Sequence, residues 1–386
     1  MKKTIKISLI VLVSLVGAAV LSVGGYLGYI VLSYYRIGDA PLEIESRADS
    51  DRVKTGTTYS ISTYNIGFSA YSQDFTFFMD TGYDSEGKAT CGHFSKAKSK
   101  KEAEFNLSGA IETLQKLDAD FILLQEVDVD STRSFHIDQD QRISDSFPRY
   151  DHVFALNFHT AYLPYPLYDM HGSVRAGLST LSRYTIRSAE RKEYTVSTSL
   201  SKFFDLDRCF SVSSVSCENG KTLYIVNSHM SAYDENGVIR KKQMEELNDF
   251  LKQCRDQGDY VIVGGDFNHD LLTYNPEYGY DEENRPFSMS KKTPDWVSYF
   301  FSEDGSSPLT EGYKVVADDS LPTCRNNDIE WIPEETYVCT VDGFIVSENI
   351  DVSLRRNVAT NGGNKGLDGF AYSDHQPVYL EFSLKA

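Results

Sequence analysis

Residues 260–270 read YVIVGGDFNHD. Four apolar residues rise into two glycines, and two aspartates, an asparagine and a histidine follow within five positions. An apolar run of this kind, β-branched and bounded by glycine, reads as a strand covered on both faces, as in the middle of an α/β sheet. The strand is expected to stop at Asp266. Asp266 and Asn268 are two residues apart, so at period two their carboxylate and carboxamide should converge on one side. Gly, Asp and Asn are also the commonest turn formers, and the segment alone does not separate a site from a turn.

The surrounding chain repeats the same grammar. YSISTYNIGF (59–68) is an alternating strand, KEAEFNLSGAIETLQKLDAD (101–120) an amphipathic helix with Ala103, Leu107, Ala110, Leu114 and Leu117 at helical spacing, and FILLQEVD an apolar strand directly after it. A second helix near Arg240 to Gln257, carrying Leu247, Phe250, Leu251 and Cys254, leads into the quoted strand. Between them RCFSVSSVSCENGKTLYIVNSHM reads as two strands joined by a turn at Glu218 to Lys221. Hairpins mixed with helix–strand units predict two packed sheets with helices outside.

The strand ends carry the chemistry. Asn65 closes the first strand, Glu126 another, His229 another, and Asp266 and Asn268 the quoted one; Asp342 stands against VDGFIVS, and Asp374 and His375 precede the last strand. Singly each residue has a plain explanation as a turn former, a cap or a satisfied core histidine. Together they mark a sheet rim, where an α/β fold builds its active site.

The series TYN, QEVD, NSHM, GGDFN, VDGF and SDHQPV, in this order, resembles the endonuclease/exonuclease/phosphatase family of metal-dependent phosphoesterases and spans residues 57–386. GSVRAGLSTLSRY (172–184) is similar to a family segment, and DRCFSV to a strand that carries an arginine, here Arg208. The resemblance implies a four-layer α/β sandwich with two central mixed sheets. It implies hydrolysis of a phosphodiester or phosphomonoester with Mg²⁺ or Mn²⁺ as cofactor, held by Glu126, Asn65 and Asp374. His375 is then the general base and Asp342 the group that fixes its tautomer. Asp266 and Asn268 orient water or a phosphate oxygen, and His229 and Arg208 stabilise phosphoryl charge as cationic donors. Arg175 is given no role.

The N-terminus predicts a membrane. Lys2, Lys3 and Lys6 precede an uncharged, mainly apolar stretch from about Ile7 to Ser33, about 40 Å as a helix against a hydrocarbon core of about 30 Å. Residues 1–36 therefore read as a single transmembrane anchor or a cleaved signal peptide, 37–56 as a linker, and 57–386 as the catalytic domain. Lysines on one flank place the N-terminus in the cytoplasm and the catalytic domain outside, at the cell membrane or secreted. The net charge of −18 disfavours non-specific binding to polyanions. A lipid headgroup or small phosphoester is thus the expected substrate, an extracytoplasmic endonuclease or exonuclease the alternative, and a non-catalytic binding module on the same fold the rival of another class. Oligomeric state stays open. Aromatic stretches at 75–94 and 154–172 read as loops beside the site. Cys209 and Cys217 lie too far apart along one strand to form a disulfide.

Overall fold

The computed structural model describes residues 2–84, 86–197, 207–232, 238–287 and 292–386. Two seven-stranded sheets form its centre. The strands of the first run, edge to edge, Ala40–Pro41, Ile186–Glu193, Cys209–Ser216, Thr222–His229, Tyr260–Asp266, Asp342–Ser347 and Tyr313–Val316. Those of the second run Ile350–Asn357, Val378–Leu384, Thr58–Asn65, Phe121–Asp128, Gly172–Ser182, Asp151–Leu163 and Ile44–Glu45.

Each sheet contains a parallel pair with a helical crossover, as parallel neighbours require. Thr58–Asn65 pairs with Phe121–Asp128 around the helix Lys100–Leu117. Thr222–His229 pairs with Tyr260–Asp266 around the helix Val238–Gln257. Ser99 caps the first helix by accepting from the Glu102 amide, and Asp118 ends it in a left-handed conformation at φ 50°. The helix therefore stops before Ala119 and Asp120, which sequence periodicity had included.

Period-two alternation sorts the side chains into layers. Ile61, Phe121, Leu123, Ile225, Ile262 and Phe344 fill the space between the sheets. Ile122 and Leu124 face the helix Lys100–Leu117 through Leu107 and Leu114, whereas Val261 and Val263 meet Leu247 and Leu251 of the other helix. Both faces of the central strands are thus covered, and each large apolar side chain so buried contributes about 1.5–3 kcal/mol. Helix, sheet, sheet and helix make the four layers expected.

Polar side chains also tie the sheets. Gln125 Nε2 donates to Asn227 Oδ1 at 2.7 Å, and Asn227 Nδ2 donates to the Leu124 and Ser179 carbonyls. All are buried, so loss of one partner leaves the others unsatisfied.

Residues 37–56, read above as a linker, lie along both sheets. Ala40 pairs with Arg191, Ile44 with Val153, and Val53 is fully buried between the sheets. The stretch 154–172 is only half loop: Asp151–Leu163 forms a long strand against Gly172–Ser182. Short apolar and aromatic residues there alternate irregularly because two register shifts interrupt the ladder. Within 75–94, Thr81–Tyr83 and Ala89–Cys91 form a small ladder.

Ahead of the sandwich stands the helix Lys2–Ser33. It is long and apolar enough to cross a bilayer, a description that a signal sequence also meets. The cysteines are unpaired. Cys324 and Cys339 are direct partners across a two-stranded ladder, which their spacing did not reveal.

Candidate active site

The parallel strands of both sheets end at one rim. Asn65 and Asp266 are the last residues of their strands, Glu126 lies near the end of Phe121–Asp128, and His229 ends Thr222–His229. Antiparallel neighbours begin at the same rim. Asp342, the first residue of its strand, is the register partner of Asp266, and His375 precedes Val378–Leu384, which pairs Val378 with Thr63.

Local backbone features aim these groups. The ladder from Phe121–Asp128 to Gly172–Ser182 slips between Leu124 and Val127, and Glu126 adopts φ 55°. Such a bulge turns one side chain out of the pleat, here toward the cavity. Gly265 has φ 152°, and a Cβ there would lie 1.9 Å from the Ser228 carbonyl oxygen. The second glycine of the quoted stretch therefore lets the strand press against its neighbour just before Asp266.

A cavity of about 400 Å³ opens at the rim, and Glu126, Arg208, His229, Asp266, Asn268, Asp374 and His375 all line it. Asn65 and Asp342, both fully buried, sit beneath them. His375 Nδ1 lies 2.8 Å from Asp342 Oδ2. Its Nε2 lies 3.7 Å from Asp266 Oδ2, and His229 Nε2 is 3.5 Å from the same oxygen. Asn65 Nδ2 donates to Asp266 at 3.1 Å and to Glu126 at 3.3 Å, while its oxygen accepts from the Gly67 amide at 3.0 Å. Asn65 thus acts as a donor between two carboxylates, and reaching a metal through its oxygen requires the amide to rotate.

Asn268 reaches the cavity by a route other than strand periodicity. The strand stops at Asp266, and Asn268 is left-handed at φ 51°. Its amide N–H donates to Asp266 Oδ1 and its Nδ2 to the Met230 carbonyl. A turn and a site are here the same structure.

Burial and charge set the protonation states. Burial alone would lower His375, but the charges of Asp342, Cys324 and Asp266 and the bond to Asp342 hold it well above its ordinary value. Burial pushes Asp266 up to about 6, with Asp342 adding and His375 opposing. Burial also drives His229 far below the usual imidazole range, and Arg208, His375 and Arg133 act in the same direction. Burial and the neighbouring cations thus favour the neutral ring in His229, and Arg208 stands on the same cavity wall.

Two groupings of oxygen and nitrogen ligands meet at the rim. Ligand atoms of Asp266, Asp342 and His375 lie within 4.8 Å of one another, and within this group His375 Nδ1 lies 2.8 Å from Asp342 Oδ2. Glu126 and Asp374 form the second grouping, also on the cavity wall. Burial raises the Glu126 carboxyl, Arg133 lowers it, and the Asp374 charge raises it again, so both acids face one cavity under mutual repulsion. Hard oxygens under such repulsion suit Mg²⁺ or Mn²⁺.

Three lining residues were not foreseen. Arg133 pairs with Asp128 at 2.9 Å and lies 3.8 Å over the Phe68 ring. Arg325 donates to the Ser72 and Phe75 carbonyls, and its Nε and Nη1 have no partner among the described residues. Asn327 Nδ2 donates to both Asp80 and Asp374. Arg133 stands in a single 3-10 turn, Arg325 in a two-residue strand and Asn327 in a loop, elements too short to show a period. Arg175 is exposed and does not line the cavity.

A sequence profile described as the Endonuclease/Exonuclease/phosphatase family matches residues 103–308, more than half of the chain. The chain belongs to the endonuclease/exonuclease/phosphatase family. Members of that family hydrolyse phosphoester bonds, and the rim cavity lies where its two sheets meet. Truncated Caenorhabditis elegans TDP2 is similar over 85% of this chain and 99% of its own, at 13% identity and TM-score 0.50. The human Nocturnin catalytic domain, solved with a bound sulfate anion, is similar over 89% of this chain and 97% of its own, at 15% identity and TM-score 0.48. At 13% identity the likeness to TDP2 is one of fold. No curated protein matches the chain.

Proposed function

We propose that this family member is a membrane-tethered, divalent-metal-dependent phosphoesterase in which His375 activates water. The observation that carries the reading is the 2.8 Å Asp342–His375 pair, with the other ring nitrogen on the cavity shared by Glu126 and Asp374. When Asp342 accepts from Nδ1–H, the neutral ring presents Nε2 as an acceptor for a water proton. Asp266 and Asn65 stand within 3.7 Å of that nitrogen and orient the water. Glu126 and Asp374 would hold the metal, with Asn65 steadying Glu126 and Asn327 steadying Asp374. A bound Mg²⁺ or Mn²⁺ supplies neutralisation of the non-bridging phosphoryl oxygens. Arg208, neutral His229 and Asn268 complete the donor set around the phosphoryl group. A binding module would not need a buried Asp–His pair beside two carboxylates.

The test is a screen of the full chain with Mg²⁺ against bis-p-nitrophenyl phosphate, plasmid DNA, sphingomyelin and phosphatidylinositol phosphates. Metal-dependent turnover of the small diester is expected. Turnover of none of the four, with the metal bound, contradicts the reading; turnover of plasmid DNA alone makes the chain a nuclease.

A further inference from the structure

The cavity has two unlike walls. One holds the carboxylates and histidines; the other is made by Phe77, Phe78, Leu163 and Tyr165 and leads outward to Met79. Beyond that wall the apolar surface continues. Outside the N-terminal helix, Met79, Tyr162, Tyr165, Leu167 and Tyr168 are exposed, with Leu167 at 77% and Tyr168 at 76%. Residues 160–168, TAYLPYPLY, carry no charge in a chain that is 24% charged. Water does not favour so concentrated an apolar patch at a cavity mouth, and such patches mark interaction surfaces.

The N-terminal helix shows what covers it. Tyr26 Oη donates to the Tyr162 carbonyl at 3.0 Å, and the Tyr162 amide donates to Tyr29 Oη at 3.2 Å. Tyr26 and Tyr29 lie about 6 to 10 Å short of the helix end at Ser33. An apolar helix of 30 residues is longer than the hydrocarbon core of about 30 Å, so these tyrosines fall at its boundary, where aromatic anchors gather. With this helix across a bilayer, its bonds to Tyr162 would hold that residue and the neighbouring loop at headgroup depth.

We propose that the loop 162–168, together with Met79, seats in the bilayer interface and opens the cavity onto the membrane, so that the substrate is a phosphoester carried by a membrane lipid. The phosphoryl group reaches the polar wall while the first part of the lipid chain lies along the aromatic one. This rests on the phosphoesterase reading of the same cavity.

The full chain is reconstituted in phosphatidylcholine vesicles containing phosphatidic acid, phosphatidylglycerol or sphingomyelin. Soluble bis-p-nitrophenyl phosphate is supplied in parallel. The wild-type chain is expected to hydrolyse at least one of the three added lipids. The double substitution Leu167→Asp, Tyr168→Asp should lower that rate at least about tenfold and leave the soluble ester unaffected, since neither residue lines the cavity. Hydrolysis of the soluble ester with none of the lipids, or lipid hydrolysis unchanged by the double substitution, overturns the proposal and spares the phosphoesterase reading. A second readout does not depend on activity. The added emission from Tyr168→Trp should be quenched by brominated phosphatidylcholine and shielded from iodide; quenching by iodide alone overturns the seating of the loop.

Discussion

His375 is a buried histidine facing three acids or thiols, and its chemistry follows from which of them dominates. Burial favours the neutral ring, yet Asp342, Cys324 and Asp266 hold the pKa well above its ordinary value. A general base must be neutral, so activity should fall as pH drops through this raised pKa. Replacing Asp342 by Asn removes the largest raising charge. The acidic limb of the kcat–pH profile should then move to lower pH, and a limb that stays in place would show that another group titrates. Glu126 poses the corresponding question for the metal. Glu126→Gln should weaken Mg²⁺ binding at least roughly tenfold, a loss seen even for groups that only orient ligands, and excess Mg²⁺ should partly restore activity. An unchanged isotherm in calorimetry would remove Glu126 from the metal site. These residues were legible because each sits at the end of a recognisable strand. Arg133, Arg325 and Asn327 were not, because they reach the cavity from elements too short to show a period, and the pull of His229 toward its neutral form comes from burial that no sequence pattern displays.

At the scale of elements, the site exists because two crossover units bring their parallel strands to one rim. The quoted strand depends on Gly265, whose backbone at φ 152° leaves no room for a Cβ against the Ser228 carbonyl. Gly265→Ala should therefore destabilise the fold by at least about 2 kcal/mol through overpacking and backbone strain, read by denaturant unfolding. An unchanged midpoint would mean the two strands can part without cost. The apolar strands and both amphipathic helices were readable from periodicity because both faces of each central strand are covered. Asp151–Leu163 was not, since its register shifts break alternation. The pairs Ala40–Pro41 and Ile44–Glu45 were too short for any period to show.

The whole molecule joins an acidic catalytic body to a single apolar helix with lysines at its start. If those lysines face the cytoplasm, protease added to intact cells should digest the sandwich, and complete protection would reverse the orientation. In the proposed mechanism one cavity unites a metal held by acids with a base held by Asp342. Its most direct test is the Mg²⁺-dependent hydrolysis of bis-p-nitrophenyl phosphate by the full chain and by His375→Ala, with the Mg²⁺ isotherm of each measured alongside. The variant should lose at least about 100-fold in kcat while binding Mg²⁺ as the wild type does. Near-normal kcat in His375→Ala at neutral pH would contradict it, because some other group would then be making the nucleophile.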